Sequence, residues 1–198
     1  VDVDRQSIRN PGGTRRGGYA ARIAGAFPWS VPLDPLYPIG KSREFPDAYT
    51  DSAPSATAMT NGTKSYNNSI NVSPTGTQEE TIGRWLKNNK EFAAGVVTSV
   101  PISHATPAAA WSNNVHRGDY QDLTRDLLGR PSISHPDPLW GVDVLIGAGW
   151  GVNDSEGKGQ GKNFVAGNKY LPESDLKAID VRNGGRYQVA VRTPGQSG

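Results

Sequence analysis

The sequence predicts an α/β fold with a mainly parallel central sheet, and two observations predict it. Segments with helical spacing alternate along the chain with short apolar runs typical of buried strands. The 198 residues also include 24 Gly and 15 Pro, and so many turn-forming residues exclude a simple helix bundle. The chain is therefore expected to be an α/β protein with long loops.

The first 50 residues are predicted to be loop. Their Gly-rich and Arg-rich beginning is followed by a proline-punctuated run that forbids regular helix. From residue 51 the composition changes, and a helix of small residues is expected from Ser52 to Asn61, with Gly62 ending it. The capping-box pattern that begins at Thr77 predicts a second helix reaching about Lys90.

The rest of the chain continues the alternation of strands and helices. Five segments are expected in this order: a buried strand at 92–100, a helix at 119–128, a buried strand at 142–146, a short helix at 172–179 and a last strand at 186–191. Residues 151–170 are rich in Gly, Lys and Asn and are expected to form a polar loop, which is solvated at 157–159 and 161–163. The organisation predicted is part of a single domain, with a loop segment (1–50), an α/β core (51–150) and a final loop, helix and strand (151–198).

Composition excludes several classes of protein. With 21 Lys+Arg against 19 Asp+Glu, the chain has no polycationic face suited to nucleic acid. Its apolar runs are too short for a membrane span. It has no Cys, which excludes disulfides and thiolate metal sites, and its three histidines leave few ordinary metal ligands.

Ser52 is the first candidate functional residue. It lies with Asp51 at the predicted start of the small-residue helix, where free backbone N–H groups and the helix dipole favour an anion. Serine at such a position could be a nucleophile, and it is also a preferred helix cap. The residue type alone leaves both roles open, with capping the commoner one.

A resemblance to a known family changes that balance. Three blocks occur in the order found in the alkaline phosphatases: T-D-S-A-P-S-A-T-A at 50–58 with N-G-T-K-S-Y-N at 61–67, S-H-A-T-P-A-A-A at 103–110, and D-V-L-I-G-A-G at 143–149. In the first block Asn61 replaces a Thr of the family pattern. The chain therefore resembles an alkaline phosphatase over about residues 45–150, which implies a three-layer α/β fold that is incomplete in this chain.

The resemblance implies a catalytic set. Ser52 would be the nucleophile, ionised by a zinc ion and forming a phosphoserine intermediate. Arg117, thirteen residues after His104, would hold two phosphate oxygens through its fork of N–H donors. Asp51 would orient that guanidinium. By itself, Arg117 would more often be a surface arginine.

The resemblance also implies metals. Ser52 would contact zinc, Thr106 would ligate a magnesium ion, and His104 would lie near that ion, so that two zinc ions and one magnesium are expected. By themselves, Thr106 and the proline after it are typical of a helix start, with Thr as the cap. His116 and His135 match nothing in the family pattern and are expected to be loop residues.

Several family elements are missing from the sequence. The G-D-G-M-G strand and the downstream aspartate and histidine zinc ligands do not occur among the 198 residues. The chain is therefore expected to be an internal segment that depends on the remainder of the enzyme polypeptide, cannot bind two zinc ions alone, and exposes sheet edge and apolar surface.

The function implied is hydrolysis of phosphate monoesters, with release of inorganic phosphate. The alternative is a fragment or homologue without a zinc site, acting only as an anion-binding or structural protein. The resemblance further implies a homodimer in a periplasmic or secreted location.

Overall fold

A computed structural model describes residues 1–8 and 51–192 of the chain, so most of the predicted loop at 1–50 lies outside the described residues. The helices and strands follow in this order: α1 (Ser52–Asn61), α2 (Ile82–Lys90), β1 (Gly95–Pro101), α3 (Ala105–Ala109), α4 (Tyr120–Leu128), β2 (Val144–Ala148), β3 (Asn153–Asp154), β4 (Gly167–Asn168), α5 (Glu173–Ile179) and a 3-10 turn (Val181–Asn183). The fold-class prediction is confirmed, since helices alternate with strands and the first strand pair is parallel.

Helix α1 has the predicted limits because both of its ends are capped locally. The Asp51 carboxylate accepts a hydrogen bond from the backbone N–H of Ala53 at 2.7 Å. At the other end Gly62 has a φ of 79° and donates its backbone N–H to the carbonyl of Ala58. Asp51 is therefore the N-cap, and Ser52 is the first residue of the helix.

Helix α2 begins later than the capping-box pattern predicted. Its N-cap is Thr81, whose hydroxyl accepts from the backbone N–H of Arg84 and donates to the carbonyl of Ala110 at 3.0 Å. Thr77 instead closes a turn with Ser73, whose backbone N–H donates to the Thr77 carbonyl at 2.8 Å. The tertiary bond to Ala110 explains why Thr81 is the cap.

The two parallel strands pair in one register over their first residues, and the register shifts between Val97 and Pro101, which lies opposite Ala148. Gly95 lies opposite Val144 and Val97 lies opposite Ile146. A second, antiparallel pair joins β3 to β4 inside the segment predicted to be a polar loop. The prediction of a strand at 186–191 is wrong, since this segment makes one isolated bridge, between Tyr187 and Asp180.

The prediction that the strands are buried is also wrong for most of their residues. Val97 is 72% exposed, Ile146 58% and Val144 47%, while Val96 is buried. Within the described ranges the parallel sheet has only two strands, so their apolar side chains lack neighbours on one side. The expected exposure of apolar sheet surface is confirmed.

The main core forms where α1 packs on α3. Alanine side chains at this contact let the two backbones approach closely, and Ile70 and Leu123 fill the space beside them without exposure. The first turns of both helices contribute to this core, through Ala53 of α1 and Ala105 of α3. The packing therefore brings the N-terminal ends of the two helices together, and these ends carry the candidate site.

A second cluster joins the helices to the sheet. Trp111 lies at its centre with Val96, Leu127 and Val142, and the indole N–H donates to the carbonyl of Trp140 at 2.9 Å. None of the helices among the described residues has the length and apolar character needed to cross a membrane.

Candidate active site

Three residues predicted to share a catalytic site do lie together at the start of α1. Arg117 donates a hydrogen bond from Nη1 to the Ser52 hydroxyl oxygen at 2.8 Å. The same nitrogen lies 3.8 Å from the Asp51 carboxylate. Ser52 and Arg117 are 65 positions apart in sequence, so the fold rather than local structure forms this contact.

The Asp51 carboxylate mainly accepts hydrogen bonds from backbone N–H groups. One oxygen caps α1 through Ala53, and the other accepts from the backbone N–H of Asn68 at 2.7 Å. The carbonyl of Asn68 in turn accepts from the backbone N–H of Arg117 at 2.7 Å. Asp51 is therefore tied to Arg117 both by charge and through the backbone of Asn68. Asn68 has no role predicted from the sequence, although it lies next to Asn67, the last residue of the first motif block.

Arg117 is placed to bind an anion. Its side chain is 27% exposed, so the guanidinium can be reached from solvent. A guanidinium has five N–H donors in a fixed fork, and the contact with Ser52 occupies one of them. The arrangement can hold an oxyanion against the serine hydroxyl at the positive end of α1.

His104 lies just before the first turn of α3, and Thr106 lies within that turn. His104 is the N-cap of this helix without a side-chain capping bond, and Thr106 is an exposed residue of the first turn. The interpretation of Thr106 as a helix cap is therefore wrong. The His104 Nε2 atom lies 3.3 Å from the Tyr170 hydroxyl, and its ring stacks on Tyr120 with 5.6 Å between centroids.

The surroundings of His104 disfavour a positive charge on its ring. Burial lowers the pKa of His104, and the nearby cations Arg117 and Lys169 lower it further. A neutral imidazole is the form that can bind a metal ion. This is consistent with the role that the family resemblance implies for His104, and it also shows that the site is rich in positive charge.

The described residues do not assemble a full metal centre. Over 1–8 and 51–192, no group of three or more His, Cys, Asp or Glu side chains could hold a metal ion. The predicted donors Ser52, Thr106 and His104 would offer two hydroxyls and an imidazole. The chemistry of these groups fits part of a metal site, and the described residues do not complete a pair of zinc sites.

The other two histidines lie in loops, and each has a hydrogen-bonding partner close by in the sequence. The Nδ1 atom of His116 accepts from the backbone N–H of Gly118 at 3.1 Å, and burial lowers the pKa of His116. The Nδ1 atom of His135 lies 3.0 Å from the Asp126 carboxylate. The expectation that both are loop residues is confirmed.

Residues 151–170, named here the docked loop, form a polar segment with exposed residues such as Lys158 and Lys162, as predicted, and the segment is also held against the site region. Gln121, with 1% of its surface exposed, holds this loop: its Nε2 donates to the carbonyls of Val165 and Asn168, and its Oε1 accepts from the backbone N–H of Val165. The loop brings Tyr170 to His104 and places Lys169 over the rings of Tyr120 and Tyr170. A buried Gln on an amphipathic helix gives no sequence signal for such docking.

Comparison with known proteins gives a consistent result. A family model described as alkaline phosphatase matches residues 31–162. Alkaline phosphatase 3 of Bacillus subtilis is 32% identical over 142 residues, which cover 69% of this chain and 30% of that protein. An alkaline phosphatase of Escherichia fergusonii is 38% identical over 140 residues, which cover 65% of this chain and 29% of that protein. The chain thus spans less than a third of the length of these relatives.

The chain is also similar to solved structures of alkaline phosphatases. The alkaline phosphatase from the Antarctic bacterium TAB5 is 34% identical, with a TM-score of 0.39 over 42% of this chain and 24% of that one. A variant of that enzyme, with one histidine replaced by glutamate, has magnesium bound in a site named M3. A cold-active alkaline phosphatase from Shewanella is 28% identical, with a TM-score of 0.44 over 75% of this chain and 32% of that one.

Proposed function

Because this chain belongs to the alkaline phosphatase family, we propose that it carries the nucleophile and the phosphate-binding arginine of a phosphate monoester hydrolase. One observation carries the proposal: Arg117 donates to the hydroxyl of Ser52 at 2.8 Å, at the N-terminal end of α1. A guanidinium, a helix start and a serine hydroxyl at one point can bind a phosphate group and hold it against a nucleophile.

The chemistry assigned to this site has two steps. Ser52 Oγ attacks phosphorus, the bond from phosphorus to the ester oxygen breaks, and the proton that the serine hydroxyl gives up passes through solvent to the departing alcohol. Water then attacks the phosphoserine, restores the hydroxyl and releases inorganic phosphate. Arg117 holds phosphate oxygens through both steps, and its hydrogen bond to Oγ favours the deprotonated hydroxyl.

A metal requirement is part of the same proposal. Thr106 and His104 are the donors proposed for magnesium, and Ser52 is the donor proposed for the zinc pair. A divalent ion there would supply Lewis-acid stabilisation of charge on oxygen. Since the described residues lack a complete ligand set, the remaining metal ligands must come from outside them.

Replacement of Ser52 tests the proposal. In the full-length protein, Ser52→Ala should abolish phosphoenzyme trapped by acid quenching and should lower turnover of an aryl phosphate by at least about a thousandfold. Ser55→Ala is the matched control, because Ser55 lies one turn later in α1 and its hydroxyl donates to the Asp51 carbonyl. Unchanged turnover in the Ser52→Ala protein would refute the assignment.

A non-catalytic role is the second candidate. It is favoured by the missing metal ligands in the described part of the chain. It predicts that the full-length protein binds inorganic phosphate without turnover and without stoichiometric zinc. Metal analysis together with the turnover assay therefore separates the two functions. An exported homodimer, periplasmic or secreted, is proposed from the family alone.

A further inference from the structure

The C-terminal end of the docked loop is fixed against α4. Thr124 of this helix donates its hydroxyl to the carbonyl of Tyr170 at 2.7 Å, and Gln160 donates to the carbonyl of Lys169 at 3.2 Å. The backbone N–H of Lys169 donates to the carbonyl of Val152 at 2.8 Å. Hydrogen bonds on both sides thus determine where Lys169 and Tyr170 lie.

These bonds place the Lys169 ammonium over two aromatic rings. Its Nζ lies 5.4 Å from the centroid of the Tyr120 ring and 5.9 Å from that of Tyr170. The two rings contact each other at 4.9 Å, and both contact His104 with 5.6 Å between centroids. Tyr120 follows Arg117 by three residues, and Arg117 contacts Ser52, so a short stretch of chain connects this aromatic group to the serine and arginine pair.

The ammonium of Lys169 has no acidic partner at contact distance. Within the described segments, none of the carboxylates lies within 4.0 Å of its nitrogen, although the side chain is partly buried. The charge of Lys169 does lower the pKa of Asp154, which lies farther away. Lys169 lies over the two rings that contact His104, and its ammonium lacks a contacting counterion in the described part of the chain.

We infer that Lys169 is a second cation of the phosphate site, held beside His104 by the docked loop, and that its charge increases the affinity for a dianionic phosphate group. The inference rests on the proposed function, since it names a further residue of the same site. The role is electrostatic: a partly buried positive charge without a paired carboxylate attracts an anion into a cleft. Lys169 acts equally on bound substrate and bound product, so it should lower KM more than it changes kcat.

The test removes the charge and keeps a polar side chain of nearly the same length. In the full-length, metal-loaded protein, Lys169→Gln should weaken binding of inorganic phosphate, measured by calorimetry at pH 8, by about three- to tenfold at ~0.01 M ionic strength. At ~1 M salt the difference should fall below about twofold, because screening shortens the range of the charge. The KM for an aryl phosphate should rise at low salt by the same factor, with kcat changed little.

Two further variants make the result specific. Lys169→Arg keeps the charge and should retain phosphate affinity within about twofold. Lys162→Gln removes an exposed charge from the same loop and should leave the affinity unchanged. The inference is overturned if Lys169→Gln binds phosphate as the unaltered protein does at low salt, or if Lys162→Gln shows an equal loss. Failure of the proposed function is a separate result, because there Ser52→Ala would leave turnover unchanged.

Discussion

Replacing Arg125 by methionine should destabilise the protein more than any exposed arginine would. Arg125 joins α4 to α5 and to the docked loop, and only 8% of its surface is exposed. Its Nε donates to Asp175 at 2.8 Å, and its Nη1 donates to Asp122 at 2.9 Å and to the carbonyl of Asn163 at 3.1 Å. Methionine keeps most of the side-chain volume and removes every one of these bonds.

The magnitude follows from the two carboxylates that remain. Asp122 is 2% exposed and cannot be solvated when Arg125 is gone, and Asp175, 8% exposed, keeps only Arg130 at 3.8 Å among the described residues. Breaking a buried ion pair by removing one partner costs roughly 3–5 kcal/mol. Burial already raises the pKa of Asp122, and Arg125 opposes that rise. Without Arg125 the pKa of Asp122 should rise further, and the destabilisation should be largest at pH values above it.

Urea denaturation of the full-length protein at pH 5 and pH 8 measures this effect. Arg125→Met should lower the free energy of unfolding by about 3–5 kcal/mol at pH 8 and by less at pH 5. Arg5→Met is the matched control, because the Arg5 side chain is 77% exposed and its partner Asp2 is near the surface, and its midpoint should not change. A loss below about 1 kcal/mol for Arg125→Met, or equal losses for both variants, would refute the reasoning.

Two other residues yield predictions. Arg117→Lys keeps a positive charge but loses the planar fork of donors, so kcat/KM for an aryl phosphate should fall by about a hundred- to a thousandfold while the melting temperature stays the same. A fall below about threefold would show that two-point binding is not used. For Asp119, burial raises the pKa from 3.8 to about 6, so the folded state holds a proton that the unfolded state releases. Stability should therefore decrease as pH rises from 3.8 to about 6, by roughly 3 kcal/mol, and Asp119→Asn should flatten this slope in denaturation series. An unchanged slope would contradict the shift.

The sequence predicted best the features that neighbouring residues decide. The limits of α1 follow from Asp51 and Gly62, which cap it by hydrogen bonds between residues at most four positions apart. The helix Tyr120–Leu128 lies within the predicted range, because Gly129 ends it in the left-handed conformation. The resemblance to the alkaline phosphatases, and the position of Ser52 in their motif, could be predicted because the first block is contiguous in sequence.

The start of α2 shows the limit of such local patterns. Thr77 and Thr81 are both acceptable caps by residue type, and the choice depends on Ala110, far along the chain, which pairs with Thr81. The predicted burial of the strands was wrong for a related reason. An apolar run indicates a strand that can be buried, and Val97 is 72% exposed because neighbouring strands, not its own sequence, determine burial.

By itself, then, the sequence determined the α/β class, the capped helix at Ser52 and the family. Tertiary structure alone decided that Arg117 reaches the Ser52 hydroxyl, that Asn68 connects Asp51 to Arg117, and that Gln121 docks a polar loop beside His104. The physical reason is the sequence separation of the residues that interact. Caps and helical periodicity arise from bonds within a few residues, whereas these contacts join residues 17 to 65 positions apart and form only when α1, α3 and α4 pack together.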